Sequence, residues 1–227
     1  MNFESLIQDI QQNNWNIYGV EVYEKGVLTH TYGDTEENLH GIYSATKTIL
    51  SIAVGIAWDR GLIDLNKALP EYLPDDVLST LTKEQRDTFD RITIHRLLTM
   101  SVGDFPFRAE GDNFLKFALE CKIQNPGEKV FNYSNISAYL VGVALHHALG
   151  EDVGIFIEKN IFAPLGITCY EYGRSPEGYF YGASEMRLTV NSLSRIGQML
   201  YNGGVYDGKR ILSEEYVRMA TSAQQMN

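Results

Sequence analysis

Residues 40–61 read HGIYSATKTILSIAVGIAWDRG. From Ser44 onward, Ile49, Ile52, Ala53, Ile56 and Ala57 recur at helical spacing, and Gly61 is a natural helix stop. Lys47 follows Ser44 by three positions, so the two share one face of the predicted helix. One reading makes Ser44 a cap and Lys47 a solvated cation. The other makes Ser44 a nucleophile. A serine hydroxyl is weak at neutral pH, but a neighbouring amine whose pKa is depressed by burial can take its proton. The start of a helix also favours developing negative charge. By itself a serine and a lysine at this spacing decide nothing.

A second stretch, FNYSNIS (131–137), places Tyr133 and Asn135 two apart in what reads as extended chain, so both side chains point to one side. A phenol beside a lysine can lose its proton more easily and shuttle it, and an amide can hold both a lysine and a substrate carbonyl. The plainer alternative is a partly buried aromatic at 133 and a helix cap at 135.

Around these stretches the periods are lopsided: a helix and two strands come first, then almost only helices. Phe3, Leu6, Ile7 and Ile10 predict a helix, and NIYGVEVYEKGVLTHTYGD (16–34) predicts two antiparallel strands turning at Lys25-Gly26. Helical segments follow in TIHRLLTMSVGD, DNFLKFALECKI and NISAYLVGVALHHALG, then in TVNSLSRIGQMLYNGG and LSEEYVRMATSA. Asp75-Asp76 is placed to cap a short helix, and DGK at 207–209 reads as a turn between helices. Two strands make a poor sheet unaided.

The chain has 227 residues, 44% hydrophobic and 11% aromatic, enough for a substantial core. Its net charge of −10 speaks against a nucleic-acid partner. No apolar run is long enough to span a membrane. The N-terminus MNFESLIQDIQQNN lacks the pattern of a secretory leader, so a cytoplasmic location is expected, or an extracytoplasmic one if a leader has been removed. Cys121 and Cys169 are expected as free thiols. The adjacent His146-His147 lacks metal-ligand spacing, as do His30, His40 and His95, so neither metal nor cofactor is expected. Tyr170, Tyr172, Tyr179, Phe180 and Tyr181 form an aromatic group that either packs or lines a cleft.

Together SATK (44–47) and YSN (133–135) resemble the S-x-x-K and Y-x-N motifs of serine β-lactamases of class C, of penicillin-binding DD-peptidases and of related esterases. RGLIDLNKALPEYLP, ITIHRLLTMSVG, PGEKVFNYSNISAYLVGVALHHALG and GASEMRLTVNSLSRIGQMLYNGGVYDGKRILS resemble further segments of that family in the same order. The resemblance implies an α+β fold: a helical lobe against an antiparallel sheet, with the site between. It implies that Ser44 forms an acyl-enzyme and lends its N–H to the oxyanion hole. Lys47 and Tyr133 would move protons, and Asn135 would orient Lys47 and the substrate amide. Substrates would be β-lactams, D-alanyl peptides or small esters.

The family's third motif, K-T-G or H-x-G on a later strand, has no counterpart in the sequence. The expectation is therefore one domain over 1–227 with an incomplete sheet, lacking its C-terminal strands. It would comprise an N-terminal helix and hairpin (1–43), the nucleophile helix and helical lobe (44–187), and sheet-covering helices (188–227). Impaired activity follows from that expectation, as does a homodimer through the open sheet edge. The rival reading is an inactive binding or scaffold homologue.

Overall fold

The computed structural model describes residues 2–224. Helix α1 (Phe3–Gln12) is capped by Asn2 and leads into the hairpin β1 (Gly19–Glu24) and β2 (Val27–Gly33). Lys25 and Gly26 both have positive φ, the backbone that a two-residue hairpin turn requires. β3 (His40–Gly41) then runs into a 3₁₀ turn, Tyr43–Ala45, and α2 (Thr46–Asp59). The helical lobe follows: α3 (Asp75–Leu78), α4 (Lys83–Phe89), α5 (Ile94–Leu98), α6 (Phe114–Glu120), α7 (Asn135–Leu149) and α8 (Val153–Ile157). α8 continues into a π-helical turn, Glu158–Phe162, before Pro164. The chain closes with β4 (Tyr170–Glu171), β5 (Arg187–Leu188), α9 (Val190–Tyr201), β6 (Val205–Tyr206), β7 (Lys209–Arg210) and α10 (Glu214–Ala220).

The α+β class is as expected, but the strand content differs from the sequence reading. DGK does not merely link two helices: Asp207 and Gly208, both at positive φ, turn the small antiparallel hairpin β6–β7, and Lys209 is a strand residue. A three-stranded sheet in the order β3-β5-β4 was likewise not foreseen. Its strands are two residues long, too short to show alternation. Among the described residues β1 and β2 pair only with each other. Asp75 and Asp76 do not cap α3; Pro74 holds the cap position and the carboxylates lie in the first turn, where the helix dipole favours them.

The core centres on α2 and α7. Both are buried nearly all round, as expected of central helices. α7 ends at Gly150, in the left-handed conformation. The aromatic residues of 170–181 pack: Tyr172 meets Phe180 edge-on and Tyr181 lies against Phe114 and Tyr139. Cys121 and Cys169 are free. No single helix among the described residues is long and apolar enough to cross a membrane; α7 and the α8 region would pass together but are bent by 79°.

Candidate active site

Ser44 does not cap α2. It occupies the 3₁₀ turn before the helix, and Ala45 is the cap residue. The turn is set by Tyr43, whose φ of 45° is uncommon for a side chain of that size. Two contacts hold it: Thr46 Oγ1 donates to the Tyr43 carbonyl (2.6 Å), and Ile42 N donates to Met186 O (3.0 Å). β3 pairs with β5 through His40↔Leu188 and Gly41↔Arg187, which brings the 183–186 segment alongside Ser44. Gly182 lets this segment lie close on α2: a Cβ there would come within 2.6 Å of Leu50 Cδ2 and force that side chain to shift.

Tyr133 and Asn135 arrive from the other side. Asn132 N donates to Met100 O (2.9 Å) and its side chain to Phe105 O (2.9 Å). Ser134 caps α7 through its bond to Ile136 N (3.0 Å) and also donates to Pro106 O (2.6 Å). Asn135 N donates to Phe107 O (2.7 Å). The segment 132–135 is thus fastened to the 100–107 loop. The cap is Ser134 and not Asn135; Asn135 is the first helical residue, which frees its amide to face inward.

The four residues singled out from the sequence meet at one point. Lys47 Nζ donates to Ser44 Oγ (3.0 Å), to Asn135 Oδ1 (2.8 Å) and to the Ala183 carbonyl (2.6 Å). The Tyr133 hydroxyl donates to Ser44 Oγ (2.7 Å), and the Lys47 ammonium lies 5.1 Å from the Tyr133 ring centroid. Lys47 is half-buried, so it is not the solvated cation of the plainer reading. Burial pulls its pKa below the ordinary lysine range, against the hydrogen bond and charge of Tyr133, which pull it up. The Tyr133 phenol is lowered, first by its hydrogen bond with Ser44 and then by the Lys47 hydrogen bond and charge, with partial burial opposing. Ser44 is exposed and Tyr133 is 43% exposed, so the site opens to solvent.

A concavity of about 530 Å³ between α3, α4 and α6, lined by Val77, Leu81 and Leu119 among others, shares no lining residue with this site. Among the described residues no cluster of metal-binding side chains occurs. Sequence reasoning missed the Ala183 carbonyl, a backbone atom that no side-chain motif announces. It also missed Arg96, which is 5% exposed and donates to the carbonyls of Arg91, Ser101, Pro126 and Glu128, fixing the turn that leads to Tyr133.

Residues 17–226 match the family described as Beta-lactamase. The chain belongs to the beta-lactamase family. Solved structures share its fold: a class C beta-lactamase mutant (TM-score 0.70, 20% identity, 96% of this chain and 67% of that one) and an octameric penicillin-binding protein homologue from Pyrococcus abyssi (TM-score 0.69, 18% identity, 96% and 59%). A curated relative, monacolin J acid methylbutanoyltransferase from Aspergillus terreus, is 26% identical over 152 residues, which is 55% of this chain. The chain covers 36% of that relative's length.

Proposed function

We propose that this member of the beta-lactamase family catalyses acyl transfer through a covalent ester on Ser44. The observation that carries the reading is the bonding around Lys47. As an ammonium it would donate all three protons, to Ser44, Asn135 and Ala183. As a neutral amine it has two. With those given to Asn135 Oδ1 and Ala183 O, its lone pair faces Ser44 Oγ and can accept the hydroxyl proton. Burial favours that neutral form. Ser44 Oγ then attacks the substrate carbonyl while its proton passes to Lys47. The Ser44 N–H lies two residues before α2, where the helix start favours the oxyanion. Tyr133, within 2.7 Å of the same oxygen, delivers a proton to the leaving group. Water then attacks the acyl-enzyme, and the reverse proton path releases Ser44.

The substrate is proposed as a β-lactam, a D-alanyl peptide or an ester. Acyl transfer to an alcohol in place of water is a second reading, favoured by the methylbutanoyltransferase relative. The resemblance puts a second oxyanion donor on the strand of the third motif, and neither K-T-G nor H-x-G occurs in the 227 residues. We therefore propose that this chain, assayed by itself, turns over more slowly than a relative carrying that motif, by about 10²–10³.

Labelling tests the reading. A fluorophosphonate or labelled penicillin should add once to the chain, at Ser44. The adduct should vanish in Ser44→Ala and persist in Ser79→Ala, a change at an exposed serine. Failure of both reagents at any excess would leave the chain a binding or scaffold protein.

A further inference from the structure

Glu177 sits at the tip of a turn, where a carboxylate is ordinarily solvated, yet it is half-buried. The turn Ser175-Pro176-Glu177-Gly178 closes with Gly178 N donating to Ser175 O (2.9 Å), and its proline and glycine stand where a four-residue turn favours them. The turn ends a small hairpin: Arg174 bridges to Phe180, Ser175 N donates to Tyr179 O (2.8 Å) and Tyr181 N donates to Gly173 O (3.0 Å). At the tip, Glu177 Oε1 accepts from Leu115 N at the start of α6 (2.6 Å) and from the Tyr139 hydroxyl on α7 (3.0 Å). Oε2 is buried and has no hydrogen-bond partner among the described residues, so the two bonds at Oε1 carry the hold.

The hairpin leads directly to the base. Tyr181, 8% exposed, packs against Phe114 and Tyr139, and its phenol meets the Asn135 side chain. Ala183, two residues further on, presents the carbonyl that accepts from Lys47. Both acceptors that orient Lys47, Asn135 Oδ1 and Ala183 O, thus border one hairpin. On the outer flank Arg174 pairs with Asp152, but the arginine is 41% exposed and solvent weakens such a pair.

We propose that Glu177 is a positioning residue: by fastening residues 173–181 to α6 and α7, it keeps the Ala183 carbonyl and the Asn135 amide where they turn the Lys47 amine toward Ser44. This rests on Lys47 being the base of Ser44.

Two measurements on the full chain separate the fastening from the chemistry. Amide hydrogen exchange at Ser175 and Tyr181 should quicken in Glu177→Ala, which loses both bonds, and stay near wild type in Glu177→Gln, whose amide oxygen still accepts them. Fluorophosphonate labelling of Ser44 at pH 7 should slow by about 10–10²-fold in Glu177→Ala. Its alkaline rise should also move to higher pH, because water admitted beside Lys47 relieves the burial that lowers its pKa. Gly55→Ala, whose strain falls on Tyr216 and Leu212, controls for a merely structural effect, and its rise should stay at the wild-type pH. Should Glu177→Ala fail to fold, Tyr139→Phe removes one of the two donors and keeps the ring; it should show both changes to a smaller degree. Unchanged exchange in Glu177→Ala, or faster exchange with an unmoved alkaline rise, overturns the proposal, as does a Glu177→Gln chain as impaired as Glu177→Ala. A wild-type chain that labels with no alkaline rise at all would sink the base assignment and this proposal with it, while faster exchange in Glu177→Ala would leave the fastening itself standing.

Discussion

Replacing Lys47 by methionine keeps the length of the side chain and removes its base. Two buried acceptors then lose their donor: Asn135 Oδ1, in a residue 8% exposed, and the carbonyl of Ala183, 0% exposed. An unsatisfied buried acceptor costs about 1–3 kcal/mol. Removal of a half-buried amine from a partly apolar site offsets some of that loss. The net destabilisation should stay near 3 kcal/mol or below, within the 5–15 kcal/mol by which domains are usually stable, and the variant should fold. Reactivity should suffer far more. A positioned base contributes about 10²–10⁴, so phosphonate labelling of Ser44, followed by intact mass, should slow by that factor. The wild-type rate should climb with pH as Lys47 loses its proton, at a pH below the ordinary lysine range, and Lys47→Met should lack that climb. Labelling of the variant at the wild-type rate from pH 6 to pH 9 would refute the assignment of the base.

The same shift has a stability consequence with a definite sign. Both Lys47 and Tyr133 have folded-state pKa values below their unfolded ones. The unfolded chain therefore holds more protons in the alkaline range, and their contribution to stability rises with pH between the lowered values and the unfolded values of about 10. Urea midpoints of wild type and Lys47→Met should diverge in favour of wild type as pH rises through that window. Parallel curves would mean that the lysine is not desolvated.

Tyr133→Phe removes the hydroxyl that donates to Ser44. Turnover should fall about 10²-fold or more while the urea midpoint barely moves, since the ring is 43% exposed; unchanged turnover would remove Tyr133 from the proton path. Arg96→Met leaves four backbone carbonyls short of a donor, a loss of about 3 kcal/mol or more. Its melting point should fall roughly 6–12 °C, and Ser44 labelling should slow even where the variant is folded, because the turn before Tyr133 loses its anchor. Gly55→Ala drives a Cβ to 2.5 Å from the Tyr216 ring and 2.7 Å from Leu212. It should destabilise by about 1–3 kcal/mol, read by thermal melting, with labelling of Ser44 in the folded protein unaffected.

The parts of the fold legible in the sequence are those with a period or a stop signal. The helix after Ser44, the hairpin turning at Lys25-Gly26 and the helix ending at Gly150 each carry one. The two-residue strands β3, β4 and β5 carry neither. Their pairing is set by tertiary position: β3 meets β5 through His40↔Leu188 and Gly41↔Arg187, partners well over a hundred residues apart in the chain. The four site residues stood out because their chemistry is unusual in combination, and the structure brings them together. Their roles could not be read from spacing alone. Tyr133 lies 89 residues from Ser44, and convergence depends on the cap at Ser134 and the 100–107 loop.

That dependence also explains why the plainer reading of each residue was reasonable and why it does not describe the structure. Taken alone, Ser44 had the composition of a cap and Asn135 that of the next cap. In the structure Ala45 and Ser134 hold those positions, which releases both side chains from backbone duty. A side chain that satisfies its own helix end cannot also face a neighbour 88 residues away, and Asn135 Oδ1 does face one, at 2.8 Å from Lys47 Nζ. Shifting each cap by a single residue is therefore the local step that turns two ordinary helix starts into one site. Substitution at Ser134 tests that step separately from the chemistry. Ser134→Ala removes the bonds to Ile136 N and Pro106 O and costs about 1 kcal/mol as a lost cap. If Asn135 then turns outward to cap α7 in its place, Ser44 labelling should slow several-fold and the alkaline rise should weaken. Labelling at full rate from a chain destabilised by that amount would show that the site holds Asn135 without help from the cap.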